Sequence, residues 1–265
     1  MSAGQRLPPF RTVSDLLADG DLSVVGRFRQ ASNVTLLADV ALGDATARCM
    51  YKPIAGERPL WDFPDGTLAG REVAAYQVAQ ALGWDIVPRT IMRDGPHGVG
   101  MVQEWIEADG DDAVIVTRAD EVPEGFLVVI HGEDAEGAEL VVSHRDSDSL
   151  RQMAVLDLIL NNADRKGGHI LPTGDRVLGV DHGICFHEQP KLRTVLWGWG
   201  GEPIPEELVT DVRRWSESAT AFEDLAGLLT ESEIAALRER VDSLLQAPVM
   251  PMPHVDRHSI PWPPF

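Results

Sequence analysis

From Leu22 to Pro53 the chain runs in short alternating or β-rich stretches, LSVVGRF, NVTLLADVAL and TARCMYKPI, parted by the polar turns QASN and GD. Period-two alternation bounded by turn residues predicts three strands. A Pro/Gly-punctuated loop, AGERPLWDFPDGTLAG, leads into GREVAAYQVAQALG, where Val73, Tyr76, Ala79 and Ala81 or Leu82 share one side and Gly83 supplies a stop. That spacing predicts a helix. IVPRTIMRD and GVGMVQEWIE predict further strands, and EADGDD reads as a connector between two lobes.

Beyond the connector, FLVVIHGEDAEGAELVVSH predicts a hairpin with an acidic turn, and Ser147 or Asp148 can cap a helix through LRQMAVLDLILNN. A loop and two short strands follow, then two helices. The second of these opens on Thr230 and Glu233, the spacing of a capping box, with Ile234, Leu237, Val241 and Leu244 on one face. The last stretch, from Ala247, holds six prolines and predicts an extended tail. The order implies an α+β fold: a β-rich lobe with one helix over 1–106, a mostly α lobe over 107–250, and a proline-rich tail over 251–265.

Composition narrows the function without naming it. With 23 basic against 42 acidic residues the net charge is −19, which disfavours nucleic acid and anionic membranes as partners. No apolar run approaches the roughly 18 residues of a membrane span, so no stable membrane insertion is expected. The opening residues lack the charged-then-apolar pattern of a secretory leader, and Cys49 and Cys185 form no framework, so a cytoplasmic setting is expected. Both cysteines read as small packing residues. Only three lysines, Lys52, Lys166 and Lys191, stand among twenty arginines, which directs attention to places where a compact ammonium matters.

The chemistry concentrates in Asn162-Ala163-Asp164-Arg165-Lys166-Gly167-Gly168-His169, followed by Asp181-His182-Gly183. A carboxylate beside an acceptor hydroxyl, a nearby cation and a downstream metal-binding acid are what phosphoryl transfer needs. Upstream, Lys52 at a strand end suits the α/β-phosphates, and Glu72 in the first turn of the next helix can pair with it. The backbone of Glu104, Trp105 and Ile106 would pass an adenine. Asp164 and Lys166 are the candidate catalytic residues, and Asp181 and His169 the candidate metal ligands. In WGWGG, Trp197 and Trp199 read as packing or acceptor-cleft residues.

These motifs resemble the atypical kinases of the phosphatidylinositol 3-/4-kinase-like superfamily, especially its type II lipid-kinase-like and HipA-like branches and an actinobacterial set within it. Asn162-x-Asp164-Arg165 looks like their catalytic loop, and GREVAAYQVAQALGWDIVPRT like their helix-then-strand entry. The resemblance covers roughly Leu22 to Phe186. It implies a two-lobed kinase-like fold, ATP with Mg²⁺ or Mn²⁺, and transfer to an unidentified protein or small-molecule acceptor. A non-catalytic nucleotide-binding regulator is the alternative. Two positions depart from the pattern: His169 stands where the kinase motif has Asn, and GRFRQASN has a single glycine, leaving Ser32, Asn33 and backbone N–H groups to cradle phosphates.

Overall fold

The computed structural model describes residues 12–28, 32–64, 66–254 and 258–265. The fold is α+β. Helix α1 (Val13–Asp19) precedes strands β1 (Asp21–Arg27), β2 (Leu36–Leu42) and β3 (Ala45–Pro53); then come α2 (Leu68–Leu82), β4 (Thr90–Gly95) and β5 (Gly98–Glu104). These strands form one antiparallel sheet in the order β1-β2-β3-β5-β4. Helix α1 lies outside the elements expected from the sequence. Its marker is a capping box, in which Thr12 and Asp15 bond each other's backbone N–H groups, and Leu16 and Leu17 bury against the sheet.

The second half carries β6 (Val114–Arg118), β7 (Phe126–Glu133), β8 (Glu139–Arg145), α3 (Asp148–Leu160), β9 (Ile170–Thr173), β10 (Arg176–Gly179), α4 (Glu206–Ser216) and α5 (Glu231–Gln246). The hairpin β7–β8 forms as expected, and β6 joins it in a sheet ordered β6-β8-β7. Three helices therefore share residues 107–250 with five strands, so this half is less helical than its sequence suggested. The Thr230–Glu233 capping box is present, with Leu237, Val241 and Leu244 buried.

Two corrections concern α2. It starts at Leu68 with Thr67 as its N-cap, so Glu72 falls in the second turn, and no acid occupies the first. The helix is also buried on nearly every side, not along one stripe, because it is packed from both directions. Val73 meets Met101 of β5, while Ala74, Val78 and Leu82 join the main cluster with α3, α4 and α5. Helix α2 thus packs both on the first sheet and on the main core of the second half. Arg71 of α2 reaches Glu233 of α5 (3.0 Å), and Trp84 donates to Asp211 of α4 (2.9 Å).

Close backbone approach fixes β3 beside β5. Gly100 pairs with Pro53, and a Cβ there would lie 2.5 Å from the Lys52 carbonyl oxygen and 2.6 Å from Pro53 Cα. Backbone on both sides leaves nothing to swing away. Gly100→Ala is expected to lower unfolding free energy by about 1–3 kcal/mol in denaturant titrations, the usual cost of overpacking. Gly168→Ala, where nothing lies within 4 Å, serves as the near-neutral comparison.

Candidate functional site

Four segments distant in sequence meet at one cleft. Lys52, near the end of β3, holds its Nζ 2.7 Å from Glu72 Oε1 on α2 and 2.9 Å from Asp181 Oδ1, which follows β10. The partners lie 20 and 129 positions away along the chain. Glu72 is buried and its other oxygen accepts the His182 N–H at 2.9 Å, while the Asp181 side chain is half-exposed towards the cleft. Burial disfavours the Lys52 ammonium, yet Asp181 and Glu72 outweigh it and hold its pKa above the ordinary value. Lys52 in turn holds the Asp181 carboxyl well below the usual carboxylate range. Asp181 adopts φ +61°, a left-handed backbone that non-glycine residues seldom take and that functional sites often hold in place.

The loop after α3 supplies the second carboxylate. Asn161 closes the helix in a left-handed conformation (φ +53°), and Asn162 Oδ1 accepts the Asp164 N–H at 3.0 Å. Lys166 Nζ stands 3.4 Å from Asp164 Oδ2. Burial nevertheless raises the Asp164 pKa, with Lys166 opposing. His169 Nε2 lies 3.5 Å from Asp181 Oδ2, and its Nδ1 is buried without a hydrogen-bond partner among the described residues. Burial lowers its pKa to about 4 despite Asp181.

One buried side chain that sequence reading left without a role holds these loops together. The Arg165 guanidinium is inaccessible and pairs bidentately with Asp157 of α3, Nε to Oδ2 and Nη2 to Oδ1, each at 3.0 Å. It also donates to the Val180 carbonyl at 2.9 Å and to His182 Nε2 at 2.7 Å. Arg165 is thus tied to the residues on both sides of Asp181. Asp157 also accepts from Asn162 at 2.9 Å. The only sequence clue was Arg165 inside the Asn162-x-Asp164-Arg165 motif.

Of the residues expected at the adenine strand, the Glu104 N–H donates to Arg89 and the Trp105 N–H to Arg48. Ile106, past the end of β5, keeps its N–H without a partner among the described residues. Ser32 is exposed, and Asn33 Oδ1 accepts the Arg58 N–H at 2.8 Å, so that oxygen braces the loop before α2. Residues 29–31, part of the expected phosphate loop, lie outside the described residues. Both cysteines are buried and free, as expected for packing residues. Trp199 packs in the core, whereas Trp197 lines a cavity.

The donor set limits how a divalent cation could be held. Among the described residues no three His, Cys, Asp or Glu side chains gather to hold a metal. Asp181 and His169 offer two donors, so phosphate and water oxygens would complete the shell, which suits Mg²⁺ or Mn²⁺ carried in with a nucleotide.

Two predictions follow from this wiring. Arg165→Met leaves the Asp157 carboxylate buried without its cation and is expected to cost about 3–5 kcal/mol in chemical denaturation. The double variant Asp157→Leu/Arg165→Met is expected to recover most of that loss. Second, burial lowers the pKa values of His144, His169 and His182, so each is neutral in the fold. Below about pH 6.5 the unfolded chain then binds more protons, so stability is full above that value and falls as pH drops towards 4. His144 accepts the Gly198 N–H through Nε2 at 3.0 Å, a bond that protonation abolishes. His144→Gln keeps an acceptor there without titrating, and its melting temperature is expected to fall less steeply with acid than wild type.

The sequence matches no family model. Protein Rv2133c of Mycobacterium tuberculosis (strain ATCC 25618 / H37Rv), whose name states no activity, is 51% identical over 263 residues, covering 94% of each chain. At that identity and coverage, the chain belongs to the same family as Protein Rv2133c.

Proposed function

We propose that the chain is an ATP-dependent phosphotransferase with a two-lobed, kinase-like arrangement, moving the γ-phosphate to a hydroxyl acceptor. The observation that carries the reading is Lys52, within 3 Å of both Glu72 and Asp181 beside the Asp164–Lys166 loop. A lysine oriented by a helix glutamate, next to an aspartate that stays ionised, is the part that grips phosphates and their cation.

In this mechanism bound ATP with Mg²⁺ or Mn²⁺ supplies the phosphoryl group. Lys52, oriented by Glu72, would bind the phosphate oxygens. Asp181, with His169 beside it, would hold the cation. Asp164 orients the acceptor hydroxyl and receives its proton, a role helped by a raised carboxyl pKa. Lys166, already beside Asp164, offsets charge on the transferring group. The Ile106 N–H, without a partner among the described residues, would donate to a base edge.

A cytoplasmic setting goes with this reading, supported by two free, buried cysteines. Among the described residues no helix is long and apolar enough to cross a membrane. The net charge of −19 argues against nucleic acid as the acceptor. The second reading, a nucleotide-binding regulator without turnover, draws on His169 in place of a kinase Asn and on Asn33 already engaged with Arg58.

Thermal shift with ATP plus MgCl₂ or MnCl₂ and a measurement of ATP consumption test both. Lys52→Ala is expected to weaken ATP–metal binding by about 1–3 kcal/mol, the worth of a hydrogen bond to a charged group. Asp164→Asn is expected to keep binding and lose ATP consumption, whereas Asp181→Asn loses metal-dependent binding itself. Binding without consumption in wild type favours the regulator, and neither binding nor consumption overturns both readings.

A further inference from the structure

A cavity of about 960 Å³ is lined by none of the residues that carry the proposed chemistry. It opens between the end of α3, the segment 188–193, the exposed side of α5 and the tail residues Ala247, Val249, Pro251, Met252, His254, His258 and Ser259. Leu158, Leu192, Trp197, Leu244, Val249 and Met252 give it apolar walls. Apolar walls with a few converging polar groups are the ordinary make-up of a small-molecule site.

Its polar groups have a definite sign. Arg240 of α5 donates Nε to the Ile159 carbonyl (3.0 Å) and Nη1 to the His187 carbonyl (3.2 Å), and makes no ion pair among the described residues. Its Nη2 is buried with no hydrogen-bond partner. Burial lowers its pKa to about 10, with Glu233 and Glu239 opposing. Arg193, on the same wall, also makes no ion pair among the described residues. The cavity carboxylates Glu188 and Glu239 are both exposed, and Lys191 is already matched by Asp62 at 2.9 Å. In a chain of net charge −19, two guanidinium groups that make no ion pair among the described residues, set on one apolar cavity, suit recognition of an anion.

The cavity also adjoins the Asp164 loop. Arg193 donates its N–H to the Asn162 carbonyl (2.9 Å) and accepts the Arg165 N–H through its own carbonyl (3.0 Å). Its charge is felt at the Asp164 carboxyl.

We infer that this cavity binds a small molecule with an anionic group, phosphate or carboxylate, carried on an apolar body. The anion lies towards Arg193 and Arg240, and the apolar body lies along α5 and the tail. If the phosphotransferase reading holds, this molecule is the acceptor, and that last step alone rests on the reading.

The test uses the full chain without nucleotide, so it stands apart from the ATP experiments. Two fluorescent probes share one apolar body: 8-anilinonaphthalene-1-sulfonate carries an anion and N-phenyl-1-naphthylamine does not. The anionic probe is expected to bind at least five-fold tighter, with a preference that shrinks as salt rises. Arg193→Gln and Arg240→Gln are each expected to cut the preference to below two-fold. Because Arg240 also holds two carbonyls, Arg193→Gln decides the matter if Arg240→Gln unfolds. Ser243→Trp, at an exposed α5 position lining the cavity, is expected to block both probes with an unchanged melting temperature. Displacement of the anionic probe by monomeric octyl phosphate supports a soluble ligand, and displacement by phosphatidylglycerol vesicles supports a lipid headgroup. Equal probe affinities, a preference untouched by Arg193→Gln, undiminished binding in Ser243→Trp, or displacement by neither competitor would overturn the inference.

Discussion

A fully buried guanidinium sets the terms for the rest of the site. Arg165 cannot shed its charge, so the fold must surround it with acceptors or lose several kcal/mol to desolvation. Asp157, the His169 and Val180 carbonyls and His182 Nε2 are those acceptors. They come from α3, from the loop that carries Asp164, and from the turn that carries Asp181. Satisfying one cation therefore requires all three segments to be in register at once. The two carboxylates of the cleft are placed as a consequence. His182 shows the coupling plainly: its ring accepts from Arg165, while its N–H donates to Glu72. The buried cation is thus joined through one residue to the partner of Lys52.

Helix α2 passes this order from one half of the molecule to the other. It contributes Glu72 to the cleft, Arg71 to α5 and apolar residues to the main core. A charged residue on a surface helix would be held loosely by solvent. Glu72 sits on a helix packed on nearly all sides, so its carboxylate has little freedom, and Lys52 meets a fixed partner. Gly100 makes the matching arrangement on the sheet, allowing β5 against the backbone of Lys52. The position of the Lys52 ammonium is therefore set from both ends.

Much of this was legible in the sequence because local periodicity and caps report local structure. Strands β1 to β3, the hairpin β7–β8 and helices α3 and α5 follow from apolar spacing and from the Thr230–Glu233 cap. The meeting of Lys52, Glu72 and Asp181 was suggested by motif order, since no local pattern relates residues 129 positions apart. Other features left weaker traces. Helix α1 is seven residues long, with two buried leucines and a cap as its whole signature. Strand β6 has only three apolar residues, Val114 to Val116, in a five-residue strand hemmed by acidic residues. Arg165 and Asp157 read as solvent-facing types, and only their mutual neutralisation lets both be buried. The six tail prolines forbid a helix but do not say where the chain goes. It returns to the site, where the Pro264 carbonyl accepts the Gly167 N–H at 2.8 Å.

The two cleft carboxylates have been driven apart chemically, and the separation assigns their tasks. Asp181 lies beside Lys52, whose charge holds its carboxyl well below the usual carboxylate range. Asp164 is pushed the other way, because burial outweighs its contact with Lys166. A carboxylate that never takes a proton is suited to hold a cation and unsuited to relay protons. A carboxylate with a raised pKa is the better base for a hydroxyl, since its affinity for the proton is greater. On the phosphotransferase reading these demands fall on different residues, and the surroundings have sorted the two aspartates accordingly. His169 stands by the ionised member as a neutral imidazole, able to offer a nitrogen lone pair where a protonated ring would repel a metal. The same burial that keeps it neutral makes the cleft sensitive to acid, so the chemistry of the site and its pH window have one physical cause.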